Sequence, residues 1–163
     1  MGREDGGPKA VKILHKETPV GVPIERAWWA WTTSEGMATW WAKSSWIELR
    51  LGGPFELYFL PDNPRGLQGT EDCRILSYRP PEMLSFSWNF PPTLPEIRSE
   101  HTWVVVRFER RGPRETQVHL DQLGWKTGPV WEDGWKYFDD AWQQVLENFR
   151  TRFPSSEADP QHH

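Results

Sequence analysis

Hydrophobic and polar positions along this chain change their period several times, and each change predicts an element. Val11 to Val20 mixes β-branched with polar residues and predicts a strand. Pro23 suits the first turn of a helix, and Ile24, Ala27, Trp28 and Trp31 follow at helical spacing with Glu25 and Arg26 opposite. Ser34 fits as the N-cap of a second short helix over Glu35 to Ala42. A run of strands follows: Trp46 to Leu51, a Gly52-Gly53 hairpin turn with both glycines free to take positive φ, then Phe55, Leu57 and Phe59 alternating with Glu56 and Tyr58. After a loop over Pro61 to Gly66, Thr70 to Tyr78 predicts a strand and Arg79 to Glu82 a turn. Leu84, Phe86, Trp88 and Phe90 then alternate strictly with Ser85, Ser87 and Asn89, the mark of a strand with one buried face. A Pro-rich loop, Pro91 to Ile97, leads to strands over Thr102 to Arg110 and Thr116 to Leu123, with Gly112-Pro113 turning between them. Thr102, Val104, Val106 and Phe108 share one face, as do Val118, Leu120 and Gln122. From Val130 to Phe153 the period returns to that of a helix: Trp131, Trp135, Phe138, Trp142, Leu146 and Phe149 form one stripe, with Glu132 and Asp133 in the first turn and Arg150 and Arg152 in the last.

One amphipathic helix must bury its stripe, and the apolar face of the sheet is what is available to cover it. The expectation is an α+β fold in which a curved antiparallel sheet of about seven strands wraps around the long C-terminal helix, with two short helices between the first and second strands. Residues 1–9 and 154–163 are polar or Gly-rich and are expected to be disordered ends around a single domain spanning 10–153.

Several segments carry a resemblance. The stretch PIERAWWAWTTSEGMATWWA, residues 23–42, resembles the opening helices of the START-like, birch-pollen-allergen-like (SRPBCC) superfamily, in particular the branch named for the activator of the heat-shock-protein ATPase. The residues that carry it are Glu25, Arg26, Trp28, Thr32, Ser34, Glu35, Gly36, Trp40 and Trp41. Later segments also match: Gly52-Gly53-Pro54-Phe55, Pro81 to Trp88, Thr116 to Trp125 with Trp125 where that branch has Phe, and Gly134-Trp135. The resemblance implies a helix-grip fold with a deep, mostly apolar cavity. It does not imply one activity, because relatives include lipid carriers, hormone-binding proteins, polyketide cyclases, oxygenase domains and co-chaperone domains. Co-chaperone members carry a separate N-terminal domain, for which this sequence is expected to have no room.

Composition sharpens one point. The chain holds twelve Trp in 163 residues, each a large apolar face with one N–H that needs a partner. Trp41, Phe55, Leu57, Phe86, Trp88, Val106, Leu120, Trp135, Phe138 and Trp142 are expected around the space between sheet and helix. Two readings are open at this point: the rings fill that space, or they line a cavity for a hydrophobic or aromatic molecule. Gln122 and Thr102 are the polar groups on the inward faces. Either orients a ligand by a hydrogen bond or lies at a strand end near water.

Other chemistry is sparse. A net charge of −4 and scattered basic residues argue against a nucleic-acid partner, and the Arg107, Arg110, Arg111 and Arg114 group reads as a solvated strand end. Cys73 is the only cysteine and reads as a small buried hydrophobe. His15, His101 and His119 show no metal-ligand spacing, which argues against zinc, and His119 with Asp121 reads as an exposed polar pair. Nothing points to a cofactor or a catalytic set. Only Gln122 and Glu71 could serve an enzyme of the cyclase or dehydratase type. No apolar run suits a membrane span, the N-terminus lacks the apolar core of a signal peptide, and a cytoplasmic location is the default. Trp103 and Val105 fall on the outward strand face, where they could meet a protein partner or a second copy of the chain. The leading expectation is a binding module for a small hydrophobic or aromatic molecule. The alternatives are a chaperone-accessory domain and, last, a cyclase-like enzyme.

Overall fold

The computed structural model describes residues 11–155. Its elements are β1 (Leu14–Val20), α1 (Ile24–Thr32), α2 (Ser34–Met37), β2 (Ser45–Ile47), β3 (Phe55–Leu57), β4 (Ile75–Arg79), β5 (Met83–Trp88), β6 (Thr102–Gly112), β7 (Glu115–Leu123) and α3 (Pro129–Arg152). All strand pairs are antiparallel, and the expected helix-grip arrangement holds, with α3 against the inner face of the sheet.

The strands do not form one continuous seven-stranded sheet. Five form the main sheet in the order β1-β7-β6-β5-β4, and β2 with β3 form a small second one. The cause is local. Arg50 N bonds to Glu48 O, and Gly53 N to Arg50 O, so the chain turns sharply where the predicted strand Trp46 to Leu51 would continue. The two strands meet at Ile47 and Phe55, the connection is a loop over 48–54, and Gly52 has φ 73° while Gly53 lies outside the left-handed region. The predicted strand from Thr70 likewise starts late, at Ile75, because Cys73 N bonds back to Thr70 O and Asp72 has φ 71°.

Helix ends follow side-chain chemistry. Thr33, rather than Ser34, caps α2: its hydroxyl accepts from Gly36 N at 2.9 Å and donates to the Trp29 carbonyl that ends α1. The second helix stops at Met37, and Trp40 turns inward to donate its indole N–H to Ala30 O. Pro129 opens α3, and Arg150 and Arg152 stand in its last turn.

The alternations hold where they position the core. Leu84, Phe86 and Trp88 of β5, Thr102 to Phe108 on alternate positions of β6, and Thr116 to Gln122 on alternate positions of β7 are buried on the inner face of the sheet, Phe108 against Trp28 and Trp31 of α1. Each fully buried large apolar side chain stabilises the fold by roughly 1.5–3 kcal/mol. Gly134 lets α3 close on the Pro-rich loop: a Cβ there would lie 2.7 Å from the Phe90 ring. Residues 1–9 and 156–163 of the expected disordered ends lie outside the described residues. Ser155, at the start of the expected tail, is buried and donates to Glu115.

Candidate functional site

The helical stripe of α3 brings Phe138, Ala141, Trp142 and Val145 to one face. Opposite them stand Trp41, Trp88 and the loops that follow β3 and β5, contributing Phe59, Leu60, Gly69, Thr70, Asn89, Phe90, Pro91, Pro92 and Arg98. These groups line a half-open cavity of about 290 Å³, with Phe59, Leu60 and Tyr137 partly exposed to solvent.

Three indoles build one wall. Trp88 and Trp142 have ring centroids 5.2 Å apart, Trp41 lies 5.7 Å from Trp88 and 5.8 Å from Trp142, and Phe59 covers Trp41 at 5.5 Å. Their separations are those of favourable offset and edge contacts. Ala141 supplies no bulk at the centre of the helical face, so the space opposite these rings stays open.

The polar groups at the rim are already committed. Thr70 Oγ1 accepts from Leu57 N at 2.8 Å and donates to Phe55 O at 3.2 Å, and Asn89 donates to Gly69 O at 3.1 Å. The Arg98 guanidinium donates to the Phe90 and Gly66 carbonyls and to the Glu71 carboxylate. Glu71 in turn accepts from the backbone N–H groups of Gly66, Gln68 and Gly69. Burial pushes the Glu71 pKa up, but the backbone donors outweigh it and hold the carboxylate below its ordinary value. Glu71 therefore organises the loop that rims the cavity. Burial raises the Tyr137 phenol at the mouth and keeps it neutral. The lining is therefore mostly apolar surface, with the Arg98 and Glu71 charges paired to each other.

The structure divides the residues expected at the site. Trp41, Trp88, Phe138 and Trp142 line the cavity. Phe55, Leu57, Phe86, Val106 and Leu120 are fully buried in the packed core instead, and Phe55 stacks on Phe86 at 4.1 Å. They share a face with cavity residues but lie where neighbouring side chains have filled the space. Trp135 packs edge-on against Trp125 at 5.0 Å with the Lys12 ammonium 4.4 Å over its ring, away from the cavity. Thr102 and Gln122 are buried and hydrogen-bonded to each other at 2.9 Å, and Gln122 also accepts from the Trp142 indole at 2.8 Å. Neither lines the cavity, so both act behind its wall. Cys73 is buried, and desolvation pushes its thiol up to about 12.

Sequence reasoning missed the loop residues of the lining and also Tyr137, Ala141 and Val145. The last two lie three residues beyond Phe138 and Trp142, a signal that could have found them. On the opposite face of the sheet, Trp103 is 44% exposed and Val105 half-buried, as the alternation predicts. Among the described residues no helix is long and apolar enough to cross a membrane.

The family profile described as activator of Hsp90 ATPase homolog 1-like protein matches residues 21–153. A search of curated protein sequences returns no match. Among solved structures, protein MLL2253 from Mesorhizobium loti is similar at TM-score 0.68 and 19% identity, over 86% of this chain and 96% of that one. CalU16 from Micromonospora echinospora aligns at TM-score 0.65 and 20% identity, over 87% and 76%. An HSP90 activator from Plasmodium falciparum aligns at TM-score 0.64 and 15% identity, over 87% and 95%. At such identities these likenesses establish the fold.

Proposed function

The chain belongs to the family described as activator of Hsp90 ATPase homolog 1-like protein, and on that footing we propose that it is a binding module for a small apolar or aromatic molecule held beside α3. The observation that supports this reading is the cavity itself: about 290 Å³, walled by Trp41, Trp88 and Trp142, with its polar rim groups satisfied from within the protein. That volume sits at the lower edge of the roughly 300–1,000 Å³ usual for small-molecule sites, so the occupant is a compact ring system rather than a sterol. The test is titration with the neutral fluorophore N-phenyl-1-naphthylamine. Saturable enhancement that disappears in Ala141→Phe supports the reading. No enhancement, or equal affinity in the variant, overturns it.

A second reading, a protein-binding chaperone-accessory domain, draws support from the family description and from the exposed Trp103 on the open face of the sheet. Stimulation of a purified Hsp90-type ATPase by the chain, reduced in Trp103→Ser, is the expected sign. An ATPase rate unchanged by the chain removes this reading. A cyclase- or dehydratase-like activity draws no support from Thr70, Asn89 and Arg98, whose hydrogen bonds are spent on holding the rim.

A further inference from the structure

The outer face of the main sheet carries a second cluster, on the side opposite the cavity. His15 and Glu17 stand two apart on β1 and project from the same face, and the strand register sets His119 of β7 directly beside Glu17. His15 Nε2 lies 2.9 Å from one Glu17 carboxylate oxygen and His119 Nδ1 lies 3.6 Å from the other. One donor atom from each of the three side chains falls within 4.8 Å of the others. Bonds of about 2.0–2.1 Å to a tetrahedral ion place neighbouring donors roughly 3.3 Å apart, so small rotations of exposed side chains close the set.

The second ring nitrogens are also provided for. His15 Nδ1 lies 2.6 Å from Asp121 Oδ1, and His119 Nε2 lies 2.9 Å from Glu109 Oε1. Without an ion, Glu17 accepts from His15 Nε2; a metal ion would replace that proton, and the carboxylate behind each imidazole would hold the remaining N–H, as outer partners of metal-ligating histidines do. Gln117 donates to Glu17 at 2.8 Å and orients that carboxylate. Three carboxylates outweigh the one guanidinium in the cluster, Arg111 at 3.3 Å from Glu109, and around two neutral imidazoles they leave a negative charge that a divalent cation neutralises. The His119 side chain is 14% exposed and that of His15 42%, which leaves a fourth position open to water.

We propose that His15, Glu17 and His119 bind a borderline divalent metal ion of the zinc type, with Asp121 and Glu109 as positioning residues. The ion would join the edge strand β1 to β7. The test is isothermal titration of metal-stripped full-length chain with zinc chloride, with bound metal counted by mass spectrometry. His162 and His163 offer a rival site, so the background is His162→Ala/His163→Ala. One zinc per chain is expected in that background, together with a rise in melting temperature. His119→Ala should abolish the binding. Asp121→Asn, which keeps all three ligands, should weaken it about 10- to 100-fold. Should His119→Ala fail to fold, Asp121→Asn decides alone. Zinc bound only when the terminal histidines are present, or affinity indifferent to Asp121→Asn, overturns the proposal.

Discussion

Trp142 on α3 donates its indole N–H to the side-chain oxygen of Gln122 on β7 at 2.8 Å, a buried bond that ties the helix to the sheet. Gln122 passes its own amide N–H to Thr102 Oγ1 at 2.9 Å, and Thr102 donates to the Trp88 carbonyl at 3.3 Å. The chain of bonds begins at one cavity wall, Trp142, and ends at the backbone of another, Trp88. It holds the two indoles in a fixed relation from behind.

Gln122→Leu should therefore cost more than its loss of polarity suggests. The variant fills the space with similar volume but orphans the Trp142 N–H in a buried site, a penalty of about 1–3 kcal/mol. Urea denaturation followed by Trp fluorescence measures it, and N-phenyl-1-naphthylamine affinity should fall as well because the wall loosens. A variant as stable as the parent would mean that the indole finds another acceptor.

The inward positions of β5, β6 and β7 were legible because alternation maps directly onto a face, and Leu120 and Gln122 are buried as the pattern requires. What alternation cannot encode is height along α3. Phe55, Phe86, Val106 and Leu120 point the same way as Trp88, yet only Trp88 reaches the cavity, since the Phe55–Phe86 stack fills the space at its own level. Ten of the sixteen lining residues come from loops, where Leu60, Pro91 and Arg98 follow no period. The His15, Glu17 and His119 cluster was hidden for another reason: it depends on the pairing of Glu17 with His119, a register between strands far apart in the chain.

Glu71 should make the loop acid-sensitive. Its folded-state pKa lies below its ordinary 4.5 because backbone N–H groups outweigh the cost of burial. A depressed carboxylate contributes stability that is fully present above the unfolded value and is lost as pH falls through the folded one. Glu71→Gln should lower stability at pH 7 by on the order of 1–3 kcal/mol and flatten the acid limb of the stability curve below pH 4.5. Parallel acid limbs in the two proteins would show that the carboxylate charge is not what the loop uses.

Cys73 should behave as a core residue under chemical attack. Burial excludes reagent and holds the thiol up to about 12, so thiolate is scarce at pH 8. Iodoacetamide should label the native chain far more slowly than the urea-unfolded chain, with the rate following global unfolding. Rapid labelling of the native protein would reveal local opening of the turn over 70–74.

The two functional readings rest on disjoint residues, so a pair of variants separates them. Ala141 faces the cavity from α3, whereas Trp103 stands on the outer face of β6, beyond the thickness of the sheet. Residues so placed share no partner, and substitutions at them should act independently. Trp103→Ser removes exposed apolar surface at little cost to the fold, and probe binding should be unchanged in it. Ala141→Phe should abolish probe binding while far-UV circular dichroism and any ATPase stimulation stay as in the parent. If Trp103→Ser weakened the fluorophore instead, the probe would be reading the open sheet face, and the cavity would lose its claim as the binding site.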